Sequence, residues 1–329
     1  MPCCRHGDSL GEFSLLKGIG TLIQQPPETL DDSHRESRTD SRGETLNRSR
    51  GDQPPLARAL EIWLAGCSIC LIGSTAGLWF PAWLGVDFPA ASLLDSLQHV
   101  SLSVDCWLSV VLLAGWLLIA ITSCISFRSH SLPIHKLNSA ASLAVLVAGV
   151  TLVLLNQHRL QPWHYQSLLF LLVLRSVEAT RQRQLLQWLT ISIYLYSALS
   201  KFDFQFAHTV GQDLMKATWQ LLPGFDEVAP AWGLVWSIPI VELIVAVLLA
   251  FTRTRLAGAV LACLLHLVLI LVLGPWGLGH SLGVLLWNAH FIGVTLLLFV
   301  VPEITRNGTV DVLPESSLRA ASSFPATCA

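Results

Sequence analysis

The chain has 329 residues, 53% of them hydrophobic and only 13% charged, with a mean hydropathy of +0.58 and a formal net charge of −2. The charged share is about half that of a soluble domain, and the near-neutral balance gives nucleic-acid binding no electrostatic support. Charged residues crowd into the first 55 positions, so the remainder is too apolar for a fold that must face water on all sides.

Residues 1–55 read as a disordered polar N-terminal tail, rich in Ser, Arg, Asp and Glu from Pro26 to Pro55. Residues 56–302 read as a transmembrane helical domain, and 303–329 as a short C-terminal tail. A bilayer core of roughly 30 Å needs about 20 apolar residues per helix. Eight such segments are legible, near 59–80, 104–127, 138–155, 162–178, 185–200, 231–251, 256–273 and 281–301. The predicted fold class is therefore all-α, a polytopic transmembrane bundle of about eight spanning helices.

Basic residues test this reading independently, because they played no part in drawing the segments. Arg42, Arg48, Arg50 and Arg58 precede the first span, and the next loop, 81–103, has no Lys or Arg. Arg128 and Lys136 fill loop 128–137, while loop 156–161 has only Arg159. Arg175, Arg181 and Arg183 mark the turn 175–184; Lys201 and Lys216 are spread thinly over 201–230. Arg253 and Arg255 sit in a tight turn, loop 274–280 has none, and Arg306 and Arg319 follow the last span. Basic density alternates at every crossing. Both termini are thus expected on the cytoplasmic side of the cell (inner) membrane, and seven or nine spans would break the pattern.

Two loops are expected to hold short helices. One lies at 88–100, with Asp95 and His99. The other, at 206–222, places Phe206, Val210, Leu214, Trp219 and Leu222 at mostly helical spacing, as in an amphipathic interfacial helix. Trp63, Trp79, Trp83, Trp163, Trp232 and Trp276 lie near span ends, the pattern of an aromatic belt. Cys67 and Cys70 share a helix face but are read as small apolar residues, and no zinc spacing is visible.

Ionisable groups are expensive in hydrocarbon and are the first places to look for function. Glu242, His266, Asn288 and His290 fall near the centres of the last three spans and form a predicted buried polar cluster. Pro239 is expected to kink the helix beside Glu242. A second constellation lies on the outer side. Residues 156–166 (NQHRLQPWHYQ) supply His158, Arg159, Trp163 and His164; 194–204 (YLYSALSKFDF) supply Lys201 and Asp203; 274–281 (GPWGLGHS) supply His280. A half-buried lysine can act as a base, and an Arg–His–Lys group suits an anionic or quinol-type ligand. The plainer readings are a snorkelling Lys201 and interfacial anchoring by His158 and His164. Arg175 and Glu178 are expected to form a structural ion pair.

The stretches NQHRLQPWHYQSLLFLL (156–172), YLYSALSKFDFQF (194–206), the PIVEL run (239–243), HLVLILVLGPWGLGH (266–280) and LLWNAH (285–290) resemble a group of bacterial membrane proteins. These are the DoxX-like, MauE-like and HTTM families, the last sharing its membrane domain with vitamin K-dependent gamma-carboxylase. The resemblance implies a base at Lys201 acting toward a quinol, with His164 as its partner. Ser200 stands where the carboxylases carry a second lysine, and the domain that binds their protein substrate has no counterpart, so peptide carboxylation is not expected. Three functions follow. The first is a quinone- or redox-associated protein with Lys201, His164 and Arg159 catalytic, and His158, Trp163, Asp203 and His280 lining the ligand. The second is a small-solute or proton-coupled carrier using Glu242, His266 and His290. The third is a non-catalytic scaffold for another membrane protein.

Overall fold

The structure, a computed structural model, describes residues 55–85, 91–127, 132–221 and 232–308. The predicted N-terminal tail before Pro55, and the C-terminal tail beyond Gly308, lie outside the described residues.

Helices occupy all eight predicted segments. They are α1 (Pro55–Ser74), α2 (Leu102–Ser126), α3 (Leu132–Leu155), α4 (Pro162–Ser176), α5 (Ala179–Lys201), α6 (Ser237–Ala250), α7 (Arg255–Leu273) and α8 (Leu282–Thr295). No strand occurs among the described residues. A π-helical turn at Leu296–Val300 carries α8 into a last helix, Val301–Gly308, so helix extends into the predicted C-terminal tail.

Six helical stretches are long and apolar enough to cross a membrane: Pro55–Ser74, Leu102–Ser126, Pro133–Leu155, Gly233–Ala250, Arg255–Leu273 and Leu282–Ile304. The other two depart for separate reasons. Helix α4 has 15 residues, only about 22 Å of rise. Helix α5 is long enough at 23 residues, but opens with Thr180, Arg181, Gln182, Arg183 and Gln184.

The bundle pairs neighbours in sequence, α2 with α3, α5 with α6, and α6 with α7. Helix α1 is the seam. It packs on α2 and α4 on one side and on α8 on the other. Leu60, Leu64, Leu112, Trp116, Val145, Leu171, Val245 and Val294 are buried along this core. The outer faces are as apolar as the inner ones. Leu117, Ile121 and Ile125 on α2, Leu143, Val147 and Val150 on α3, and Leu264, Leu267, Val268 and Leu271 on α7 are exposed. Stripes of this kind at helical spacing would aggregate in water and suit lipid.

Several local expectations change. The first span ends at Ser74, and the chain re-forms as short helices at Ala76–Trp79 and Pro81–Leu84. Pro239 falls in the first α-helical turn of α6, just after the 3-10 turn Trp232–Trp236, where a missing N–H costs little. The 88–100 loop forms only a 3-10 turn at Asp95–Leu97. The expected amphipathic helix is two helices, Phe204–His208 and Val210–Gln220, separated at Thr209. Phe206, Leu214 and Met215 pack with Val235 and Val272 in a second small core. Val210 points out instead, and Leu222 lies outside the described residues.

Of the expected belt, Trp83 and Trp276 are exposed, but Trp79 and Trp163 are buried. Trp63 donates from Nε1 to the carbonyl of His290 at 3.2 Å, joining α1 to α8. Cys70 is exposed on the outer face of α1, not buried, and Cys67 is intermediate. Arg175 meets Glu61 at 2.9 Å in place of the expected Glu178.

Candidate functional site

Tyr194, Ser197 and Lys201 follow one another on α5 at spacings of three and four residues, which puts them on one helix face. Lys201 is the last residue of that helix. Its ammonium does not snorkel outward. It turns back along the helix, donating to the Ser197 carbonyl at 3.1 Å and the Ser197 hydroxyl at 2.5 Å. Both oxygens of Glu242, on α6, accept from it at 2.9 and 2.7 Å. Glu242 is buried, and the Lys201 side chain is 23% exposed. Two residues expected in separate clusters are therefore one ion pair. Beside it, Phe202 stacks on Trp236 with ring centroids 6.0 Å apart and planes 10° apart.

One turn deeper, the Tyr194 hydroxyl lies 2.8 Å from His266 Nε2 on α7. His266 Nδ1 lies 2.9 Å from Asn288 Oδ1 on α8, and Asn288 Nδ2 donates to the Val284 carbonyl at 2.9 Å. This chain has a fixed sense. The amide nitrogen is committed to Val284, so Oδ1 accepts and Nδ1 of His266 carries the proton. Nε2 is then the acceptor, and the Tyr194 hydroxyl donates to it. The imidazole stacks face to face on Phe291 at 4.8 Å. Tyr194 also lies within electrostatic range of Glu242. Lys201, Glu242, Tyr194, His266 and Asn288 thus form a polar layer across α5, α6, α7 and α8.

His290 shares the helix with Asn288 but not its network. Two positions on, it is buried with neither ring nitrogen hydrogen-bonded among the described residues, and it stacks on Trp287 at 5.8 Å.

Arg159 and His164 belong to the other half of the bundle. Arg159 is buried in the short 157–159 turn. Its Nη2 meets Asp105 Oδ2 at 2.7 Å, and its Nη1 pairs with Asp105 Oδ1. Its Nε donates to the Leu78 carbonyl at 3.0 Å, and the guanidinium lies over the Trp79 ring. His164 is buried against Trp79 at 4.9 Å, with Trp163 beside it, and its Nε2 is 3.5 Å from the Gly149 carbonyl. The contacts of Lys201 go to Ser197 and Glu242, and those of Arg159 and His164 go to Asp105, Leu78, Gly149 and this aromatic group. The Arg159–Asp105 pair lines a cleft of about 770 Å³ together with Gln98 and Asn156.

The remaining expected ligand residues are peripheral. His158 is exposed at the tip of the 157–159 turn. Asp203 is exposed and caps the Phe204–His208 helix, accepting from Phe206 N at 2.6 Å. His280 is exposed in the 274–281 turn.

Sequence reasoning passed over Glu61, which is fully buried on α1. Ser123 on α2 donates to it at 2.6 Å, Asn138 on α3 at 3.0 Å, and Arg175 on α4 faces its other oxygen at 2.9 Å. A lone acid inside an apolar run was the available signal. Asp105, near the start of α2, gave the same one.

Residues 183–278 match the family described as methylamine utilisation protein MauE. The matched stretch contains Lys201, Tyr194, Glu242 and His266. It stops short of Arg159 and His164 on one side and of Asn288 and His290 on the other. No curated protein and no solved structure matches the chain. The match and the apolar helices make this a multi-pass helical membrane protein embedded in a lipid bilayer.

Proposed function

We propose that the protein is associated with a lipid-soluble redox partner of the quinone class, with the Lys201–Glu242 pair as its proton-exchanging group. The observation that carries this reading is the doubly hydrogen-bonded pair at the end of α5, on the same helix as Tyr194 of the Tyr194–His266–Asn288 chain. In this reading Lys201 is the base toward the ligand and Glu242 its counter-charge. The chemistry of the site fits a quinone or quinol: a proton donor–acceptor pair, a partly exposed lysine, and the Phe202–Trp236 stack beside it as a flat aromatic wall. A quinol would supply the hydroxyl proton. The chain supplies the base, its counter-charge and the aromatic surface.

In this reading the catalytic role passes to Lys201 and Glu242. Arg159 and His164 hold the other half of the bundle, since the guanidinium is already committed to Asp105, Leu78 and Trp79. We propose the cell (inner) membrane as its location, with both termini cytoplasmic, an orientation supported by the arginines at the α4–α5 and α6–α7 turns.

The test is quinone retention. Protein purified in mild detergent is extracted and the extract analysed by mass spectrometry for wild type, Lys201→Ala and Glu242→Gln. Wild type should hold quinone above the level of a control membrane protein, and both variants should lose most of it. Equal retention in all three sinks the role of the pair.

A second reading, a small-solute or proton-coupled carrier, is favoured by one observation. Glu242 and His266 share a polar layer that crosses four helices. It predicts solute uptake into proteoliposomes that Glu242→Gln abolishes, and uptake that survives this substitution would exclude it.

A further inference from the structure

At the opposite end of the bundle from Lys201, the start of α1 and the α4–α5 turn enclose a cleft of about 240 Å³. Leu56, Leu60, Leu174 and Leu186 give it a mostly apolar wall, with Gln182 also in the lining, and the exposed Thr180 and Arg183 stand at its mouth. The volume is too small for a whole lipid and sufficient for a phosphate with the first part of a chain.

The charge around the mouth is unbalanced. This end of the helices carries four arginines, Arg181 and Arg183 on α5 and Arg253 and Arg255 at the α6–α7 turn, against two acids, Glu178 and Glu303. Arg255 lies within electrostatic range of Glu303 and also of Arg183. Arg183 has no acidic partner among the described residues; its charged neighbour is another arginine. The nearby Arg175 is already matched to Glu61. A guanidinium beside a like charge, at the rim of an apolar slot in a membrane protein, is complementary to an anionic headgroup whose acyl chain follows the slot.

We propose that this cleft is a binding site for an anionic phospholipid, with Arg183 and Thr180 on the phosphate and Leu56, Leu60, Leu174 and Leu186 along the acyl chain. The shared chemistry is a phosphate group. The apolar wall selects the lipid phosphodiester over free phosphate, because inorganic phosphate gains nothing from the slot.

The experiment uses the full chain in mild detergent, with phosphatidylglycerol, phosphatidylcholine and inorganic phosphate as probes. Native mass spectrometry reads retained lipid, and the tryptophan-fluorescence melting temperature reads stabilisation. Phosphatidylglycerol should give one firmly held adduct and a raised melting temperature, and phosphatidylcholine and phosphate should give neither. Arg183→Gln should weaken phosphatidylglycerol binding by about tenfold, the worth of one charge-assisted contact. Ala179→Phe, which keeps the charge and narrows the cleft, should weaken it as well, and Arg181→Gln should leave it nearly unchanged. Equal binding of the two lipids, stabilisation by inorganic phosphate alone, or unaltered binding in Arg183→Gln and Ala179→Phe would each overturn the site.

Discussion

At the scale of single residues, the membrane sorts polar groups by whether they find a partner. Glu242, Glu61 and Asp105 each meet a base, and a base removed from such a pair strands a buried or partly buried carboxylate, at up to about 3–5 kcal/mol where burial is complete. Arg159→Ala should therefore lower the melting temperature sharply. Asp105→Asn with Arg159→Gln should lower it less, because no charge is then stranded; melting in detergent decides, and an equal loss in both removes the ion pair as the cause. His290 is the contrary case. Both its nitrogens are buried without a hydrogen bond among the described residues, so one N–H stays unsatisfied at about 1–3 kcal/mol. His290→Leu should keep or raise the melting temperature. A clear drop would reveal a partner for the imidazole.

At the scale of elements, the spans were legible and their ends were not. Apolar run length is a local property, and helices occur at all eight expected positions. Where a helix stops depends on its neighbours. Thr75 interrupts the first span at a backbone of φ −119° and ψ 29°, and Thr209 breaks the expected amphipathic helix at φ −126° and ψ −100°. The α6–α7 hairpin shows what close packing demands. A Cβ on Gly258 would stand 2.9 Å from the backbone nitrogen of Leu249. Backbone cannot move aside as a side chain can, so Gly258→Ala should destabilise by about 1–3 kcal/mol. Gly66, with open space where its Cβ would lie, provides the control, and a Gly258→Ala protein that melts with Gly66→Ala would refute the close approach.

At the scale of the whole molecule, each half of the bundle is stitched by its own buried acid. Glu61 ties α1 through α4 near the arginine-bearing end, and Glu242 ties α5 to α6 near the other. Helix α1 joins the halves through α8, where Trp63 bonds the His290 carbonyl. The arginine asymmetry predicts that reporters fused to the N- and C-termini both read cytoplasmic, and that one in the 274–281 turn reads external. Opposite assignments for the two termini would mean an odd number of crossings and remove either the short α4 or the polar-ended α5 from the spanning set.

The sequence by itself determined the all-α membrane class, the positions of the helices and the burial of Glu242, His266, Asn288 and His290. These follow from run length and from the expense of charge in lipid, both read within a few residues. Tertiary structure alone decided which of those groups meet. Lys201 and Glu242 are 41 positions apart, Arg159 and Asp105 are 54 apart, and Glu61 and Ser123 are 62 apart. Helical periodicity gives the face on which a residue lies but not the helix that the face will pack against. For that reason Lys201 and His164, both expected on the outer side, separate into different halves, while Lys201 and Glu242, expected at different depths, share a hydrogen-bonded pair.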